Sequence, residues 1–500
     1  MKLKSKTLLV LLLTIFITKQ PLASARPTLE AAAQRAKETF HSKEWREVPD
    51  EALVRANRIK WNRIAKAALN LPDWVEFGLS QRTRFEFVSN NWRTGQRNAD
   101  NTQLPLQSRV RLGINRGPYW VLFEGQDSRT HFAQAGDFAG REVANKFDIL
   151  QLFGSATFKN VFGTELRTDL HFGRMTLELG AARLIGRNDF PNTTNNFDGG
   201  HLSIGNNKDW RVRAFLTAPV NRKNDELDDA RNRTLFWGTA FESTQNKWAS
   251  GEIYYLGLSD EFDRQSNRAK HLHTTGARIV KKDIRQRSDF ESEQTGELDY
   301  DLEGAAQVGD RHGKDHFAWM AFARLAYTLN QPWIPRLAGE FVYGSGTRNP
   351  DGDQSATFDR LFGLRRPDLG HTSLFGPFSH SNLIKVGWRL TVLPRDDFRI
   401  FIKHHLNWLA EKRDALSGSA LPGFSSLQDK TGNSGSFLGH DIELVGRYRI
   451  REATDLEAGY QYWFKGGFFD GLTQLANRGG LPINGEKDTN YFFVQTTVRF

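Results

Sequence analysis

From Trp74 onward, apolar residues recur at every second position, and the positions between them carry charge rather than mere polarity. In the first such run Phe77, Leu79, Gln81, Thr83, Phe85 and Phe87 point one way, and Glu76, Arg82, Arg84 and Glu86 the other. Next, Leu106, Val110, Leu112 and Ile114 oppose Gln107, Arg109, Arg111 and Asn115. The same code returns with Trp210, Val212 and Ala214 against Arg211 and Arg213, and with Leu298, Tyr300 and Leu302 against Asp299, Asp301 and Glu303. It returns again with Val386, Trp388 and Leu390 against Lys385, Gly387 and Arg389, and with Ile442 and Leu444 against Asp441 and Glu443. A soluble β-sandwich also alternates, but its strands are seldom this long or this charged. A barrel with one face in lipid and the other around water explains both features, so the pattern predicts an all-β fold, a transmembrane antiparallel β-barrel of 18 strands.

Connection lengths give an independent test, because such barrels have short periplasmic turns and longer outer loops. Short connections fall at 116–117, 159–162, 206–209, 243–246, 330–334, 394–396 and 451–452. Long polar segments fall at 89–105, 128–146, 174–197, 221–233, 345–381, 407–437 and 465–488. The two kinds alternate, except that the charged stretch 283–295 stands where a short turn is expected. Residues 345–381 and 407–437 are long enough to fold inward as plugs or lids. An even strand count returns both ends of the barrel to the periplasmic side.

Upstream of Trp74 the pattern changes. Lys2, Lys4 and Lys6 form a basic start, residues 7–18 an apolar run of secretory length, and Ala23-Ser24-Ala25 a small-x-small cleavage site, so 1–25 reads as a signal peptide of a Gram-negative export route. Residues 26–72, with Val54, Trp61, Ile64, Ala65 and Ala68 on one stripe, read as a short helical periplasmic extension, leaving 73–500 as the barrel. At the other end Phe492, Val494, Val498 and Phe500 share one face of a terminal strand ending in an aromatic residue, as the outer-membrane assembly machinery recognises.

Composition narrows the reading further. Hydrophobic residues are 39% and mean hydropathy is -0.55, which leaves no room for a bundle of membrane helices. With no Cys, disulfide scaffolds, thiol catalysis and Cys-ligated metals are excluded. The net charge of +10 falls to 64 basic against 58 acidic residues once the four lysines of the leader are set aside. Acids and bases are interleaved instead of forming a one-sign patch, which argues against nucleic acid as a partner.

Particular residues resemble a family. Gly173-Arg174, Gly180, Arg183-Leu184-Ile185-Gly186, Asn192-Thr193 and Phe197-Asp198-Gly199 are similar to the strand, loop and strand signature of the alginate export family of outer-membrane proteins. A second set follows in the same order: Thr275-Gly276-Ala277-Arg278, Asp299-Tyr300-Asp301-Leu302-Glu303, Gln307, Gly309, Pro335-Arg336-Leu337, Glu340-Phe341, Gly344-Ser345-Gly346, the run from Thr357 to Phe362, and Asn382. Met175 and Thr347 stand where the family commonly has Gln and Asp, and Phe190-Pro191 where it often has Trp. The resemblance covers roughly 75–500. It implies passive export of an anionic, alginate-like polysaccharide with periplasmic secretion proteins as partners and outer-membrane lipid around the barrel.

The expected lumen gives that substrate a physical footing. Arg82, Arg84, Arg109, Arg111, Arg211, Arg213, Arg278, Lys385, Arg389, Arg399, Lys403, Arg447 and Arg449 fall on inward positions. In a water-filled pore they would draw carboxylates or small anions, and an Arg can hold a carboxylate through two parallel donors. Glu76, Glu86, Glu124, Asp299, Asp301, Glu303, Glu340, Asp441, Glu443, Asp455 and Glu457 also point inward, so many of these charges are expected to pair across strands. Two other readings stay open, a general or anion-selective uptake porin and an outer-membrane hydrolase. The second lacks a constellation. His271 and His273, or His404 and His405, do not have zinc-hydrolase spacing, there is no Gly-x-Ser-x-Gly elbow or phosphate loop, and Asp351-Gly352-Asp353 lacks the other ligands of a calcium loop. No catalytic residue, metal or cofactor is expected.

Overall fold

The computed structural model describes residues 68–499 apart from 92–99, 133–142, 207–208, 247–248, 264–267, 282–295, 371–375, 377, 396, 418–425, 452 and 480–486. The leader, all but the last residues of the helical extension, Phe500 and the charged stretch 283–295 lie outside the described residues.

The alternating runs form 18 strands. The first six are β1 (Val75–Ser89), β2 (Asn101–Arg116), β3 (Tyr119–His131), β4 (Asn145–Val161), β5 (Leu166–Met175) and β6 (Phe197–Gly205). Then come β7 (Trp210–Asn221), β8 (Thr234–Asn246), β9 (Ala249–Asp263), β10 (Arg268–Val280), β11 (Glu297–Arg311) and β12 (Asp315–Thr328). The last are β13 (Arg336–Gly344), β14 (Leu383–Arg395), β15 (Phe398–Trp408), β16 (Phe437–Arg451), β17 (Thr454–Lys465) and β18 (Thr489–Arg499). Each pairs antiparallel with the next, and β18 returns to pair with β1 through Ser80↔Arg499 to Ser89↔Asn490, which closes the barrel. Closure leaves no open edge, the condition for a sheet to stand in lipid, where an unpaired backbone group costs several kcal/mol.

Register keeps the two faces apart. On β2 Leu112 and Ile114 are exposed outward while Arg109 and Arg111 are buried inward, and the same division holds on β11, β14 and β16. At the end with the short turns, Trp74, Tyr119, Phe162 and Trp333 stand exposed on the outside, and Trp210 stacks on Phe241. Toward the other end Trp319 stacks on Tyr343 at 4.1 Å and Trp408 leans on Phe437. Such aromatic residues flank the apolar band of outer-membrane barrels. Among the described residues no helix is long and apolar enough to cross a membrane.

Two features depart from the expected pattern. On the long-loop side β9 and β10 are separated only by 264–267, and β11 and β12 only by 312–314, so the alternation of loop lengths breaks there. Two helices that the periodicity does not announce, α1 (Arg366–Leu369) and α2 (Gly467–Gly479), sit within outer loops.

The apolar interior comes from loops, because an inward strand face made of charged residues cannot build a core by itself. Residues 176–196, between β5 and β6, place Leu177, Leu179, Leu184 and Ile185 against the inward Phe236, Leu256 and Met320. Residues 345–382, between β13 and β14, contribute Phe358 to the same cluster, and Leu369 and Phe378 to a second. Leu416 and Leu427 from 409–436, and Phe468, Phe469 and Leu472 from α2, close over that second cluster. Inward folding of 345–381 and 407–437 therefore agrees with their length, whereas that of 176–196 is a finding of the structure.

Candidate functional site in the barrel lumen

The family-like residues are those that turn a loop into the lumen and hold it there. At the base of the 176–196 loop Gly173 faces Gly199 and Arg174 faces Asp198 in register, with the Arg174 guanidinium bidentate on the carboxylate at 2.8 and 2.9 Å. Gly180 is left-handed (φ 52°) and lies so close to Glu252 that a Cβ there would fall 1.8 Å from its Oε1. Only glycine fits. Asn192, fully buried, donates to the carbonyls of Leu106 (3.0 Å) and Val143 (2.8 Å), while its own carbonyl accepts from Gln107 Nε2 at 2.7 Å.

The two inward loops meet in mid-lumen. Phe362 N–H donates to Leu184 O (3.0 Å), Gly186 N–H to Phe362 O (3.2 Å) and Leu364 N–H to Ala182 O (2.8 Å), a short parallel bridge. At Gly363 a Cβ would lie 1.6 Å from the Arg183 carbonyl. Gln307 on β11 fixes the second loop from the wall, since its Oε1 accepts from Asp359 N–H at 2.9 Å and its Nε2 donates to Asp359 O at 3.2 Å.

Beside this bridge Arg183, with no exposed side-chain surface, reaches Glu303 at 2.6 Å, Asp301 at 2.8 Å and Asp368 at 2.9 Å, and lies over the Phe322 ring at 3.4 Å. Burial alone would lower its pKa, but the three carboxylates hold it well above the ordinary value. Asp368 resists the opposite effect of burial through Arg183 and Arg324, and stays charged below the usual carboxylate range. Next to it His380, buried 3.9 Å from Asp368, is pushed by burial down to about 4 and is neutral at ordinary pH.

Most of the inward cations expected from the sequence lie within this framework. Arg82 donates to the carbonyls of Asp189 (2.5 Å) and Pro191 (2.9 Å). Arg84 pairs with Glu86 at 2.7 Å, donates to Phe190 O at 2.5 Å and covers the Phe190 ring at 4.4 Å. Arg109 meets Asp189 at 3.1 Å and Thr194 Oγ1 at 2.6 Å, and Arg111 lies 3.8 Å from Glu76. Arg211 and Arg213 share Glu242 at 2.6 and 3.1 Å, Arg213 also donates to Glu178 O, and Arg278 holds Asp301 at 2.7 Å.

The wall from β14 to β17 is built differently. Lys385 pairs with Asp441 at 2.8 Å, Arg389 with Glu340 at 2.9 Å and Lys403 with Glu443 at 3.6 Å. Glu340 also serves Arg324 (2.8 Å) and His405 (3.0 Å). Glu457 is shared by Arg447, at 3.4 Å, and Arg366. Arg449 lies 3.7 Å from Asp455. Arg399 stands directly opposite Arg447 in the β15–β16 ladder and makes neither a hydrogen bond nor an ion pair among the described residues.

Sequence reasoning quoted Arg183 and Asp359 only as motif members and missed Arg187, Asp189 and Asp368 as ionic residues of the lumen. Arg187 joins Glu124 (2.6 Å) to Asp189 (3.0 Å). Their signal was charge inside long loops that also carry large apolar residues, Leu177, Leu184 and Ile185 in one and Phe358 and Leu369 in the other.

A closed 18-stranded barrel with an apolar outer band, an ionic inner wall and loops packed inside it is an outer-membrane channel of the bacterial cell. The family model for alginate export matches residues 73–476, and the chain belongs to that family. Among solved structures it is similar to OccD3 (OpdP) of Pseudomonas aeruginosa, with 10% identity, TM-score 0.54 and 86% of this chain covering 92% of that one. It is similar as well to OccAB2 of Acinetobacter baumannii (10%, 0.55, 86% and 98%) and to OpdQ of Pseudomonas aeruginosa (11%, 0.54, 86% and 99%). At such identity the likeness shows the shared fold. No curated protein matches.

Proposed function

We propose that the channel passes an anionic polysaccharide outward, passively, along the β14–β17 wall. The observation that carries this reading is the pair Arg399 and Arg447, two cations side by side on neighbouring strands where like charges repel. Such a pair is favourable when an anion lies between its members. The side chains become less exposed along the wall from the periplasmic end, from Arg449 at 51% through Arg447 at 30% to Lys403 at 3%, so a cargo would meet exposed cations first and buried ones later. Many weak contacts in series allow passage without trapping. In this reading 1–25 directs export of the chain, and 26–72 lies in the periplasm, where secretion proteins would dock.

The test is the reversal potential of the purified protein in a planar bilayer under a salt gradient, before and after adding oligouronates. Anion preference with oligouronate block is the expected result. Anion preference without block would replace the exporter by an uptake porin for small anions, and absence of preference would remove the cationic wall from the pathway.

A further inference from the structure

Phe401 is out of place among the inward side chains of its strand. It lies between Arg399 and Lys403 on the lumen side of β15, a position where a polar residue is the rule in such barrels. Other inward rings, such as Trp120, Phe153, Phe236, Phe322 and Trp463, are at most 2% exposed. Phe215 is only partly covered, but it lines a small cavity with Leu177 and Leu179 beneath the 176–196 loop. Phe401 packs against the second apolar cluster, opposite the buried Val445, yet remains partly exposed, on the periplasmic side of the point where Lys403 stands opposite Arg389 in the ladder. Cations surround its ring: Lys403 Nζ is 5.2 Å from the centroid, Arg389 Cζ 5.9 Å and Arg447 Cζ 6.0 Å.

Cations alone would serve a chloride or a phosphate. An aromatic face beside them adds something only for a ligand that carries an apolar C–H face and a negative group at its edge. A pyranose bearing a carboxylate has that shape. Inward side chains two residues apart on a strand are about 7 Å from each other, so a ring stacked on Phe401 has its edge within reach of Arg399. Resting on the reading of the cargo given above, we infer that Phe401 is a stacking platform for one sugar ring of the polysaccharide, with Arg399 receiving that ring's carboxylate. The site thereby selects acidic sugar chains over small anions on the periplasmic part of the β14–β17 wall.

Single-channel recording of the full protein tests this, with a uronate hexasaccharide, a neutral hexasaccharide of equal length, benzoate and acetate as probes. Wild type is expected to show long blocks with the uronate and short ones with the other three. Phe401→Ala is expected to shorten the uronate blocks about tenfold through faster release, while the reversal potential in potassium chloride stays put. Phe401→Leu, which keeps volume without an aromatic face, is expected to behave like Phe401→Ala and is the variant to read if the smaller side chain prevents insertion; Phe401→Trp should keep the long blocks. Uronate blocks of wild-type length in Phe401→Leu would overturn the platform and leave the cargo reading standing. Benzoate blocks as long as those of the uronate would also overturn it, in favour of an aromatic-acid site. Failure of the uronate to block wild type would instead sink the cargo reading.

Discussion

The lumen has two kinds of basic wall. Across β1–β3, Arg82, Arg84 and Arg109 are spent on the 176–196 loop, whose carbonyls and Asp189 lie within hydrogen-bonding distance of them. On β14–β17 the cations pair mainly with carboxylates of the wall strands themselves, and Arg399 has none among the described residues. Both walls show the same alternating code in the sequence. Charge that faces the lumen is thus of two sorts, that which anchors a loop and that which stays on the wall, where the proposed function has it meet a passing ion. In a low-dielectric interior an anchored cation is costly to remove, because its partner is left buried and charged.

That contrast can be broken most forcefully at its centre. Arg183→Met leaves Asp301, Glu303 and Asp368 gathered without their shared cation, and we expect a loss of about 3–5 kcal/mol in denaturant unfolding, with larger and noisier conductance as the two loops part. Wild-type stability in this variant would show that packing alone holds the loops. Arg84→Gln should cost about 3 kcal/mol and leave ion selectivity where it was; a shifted reversal potential would place Arg84 among the cations that cargo meets. Arg399→Gln should do the reverse, moving the reversal potential toward cation preference while changing stability by less than about 0.5 kcal/mol.

The smallest effect is expected from pH. In the packed loop the His380 imidazole faces Asp368, Arg183 and Arg360 and is held down to about 4, whereas a released His titrates near 6.5. Between those values the released loop binds a proton that the packed loop refuses, so packing is at full strength above about pH 6.5 and weakens as pH falls toward 4. The depressed Asp368 adds a loss in the same direction only at lower pH. Conductance recorded across this window should rise on acidification in the native protein and stay flat in His380→Gln; parallel curves would assign the response elsewhere.

Strand number, facing and the identity of the inward cations were legible because each depends on local period. Arg109 and Leu112 declare opposite faces within four residues, and the short turns at 116–117 and 206–209 lie between the strands they separate. Counter-ions were not legible, since Arg183 finds Glu303 and Asp368 far along the chain and only the closed barrel brings them together. The inward fold of 176–196 was hidden for a related reason. Its Leu177, Leu184 and Ile185 have no strand or helix period, and Phe236 and Met320, which they cover, belong to strands whose alternation looks complete without them. The helices α1 and α2 are short local solutions of loops already packed on that interior.

The seam between β1 and β18 joins residues more than four hundred positions apart, such as Ser80 and Arg499. The pairs from β1–β2 to β16–β17 can form before β18 arrives, but this seam, with the β17–β18 pair, waits for that last strand. Until then the growing sheet has two naked edges, and the loss of chain freedom in bringing them together falls on a single late step. A stop codon that removes only the last ten residues would therefore do more harm than a much longer deletion in an outer loop. It would leave a ribbon that can neither seal itself nor rest in a hydrocarbon layer.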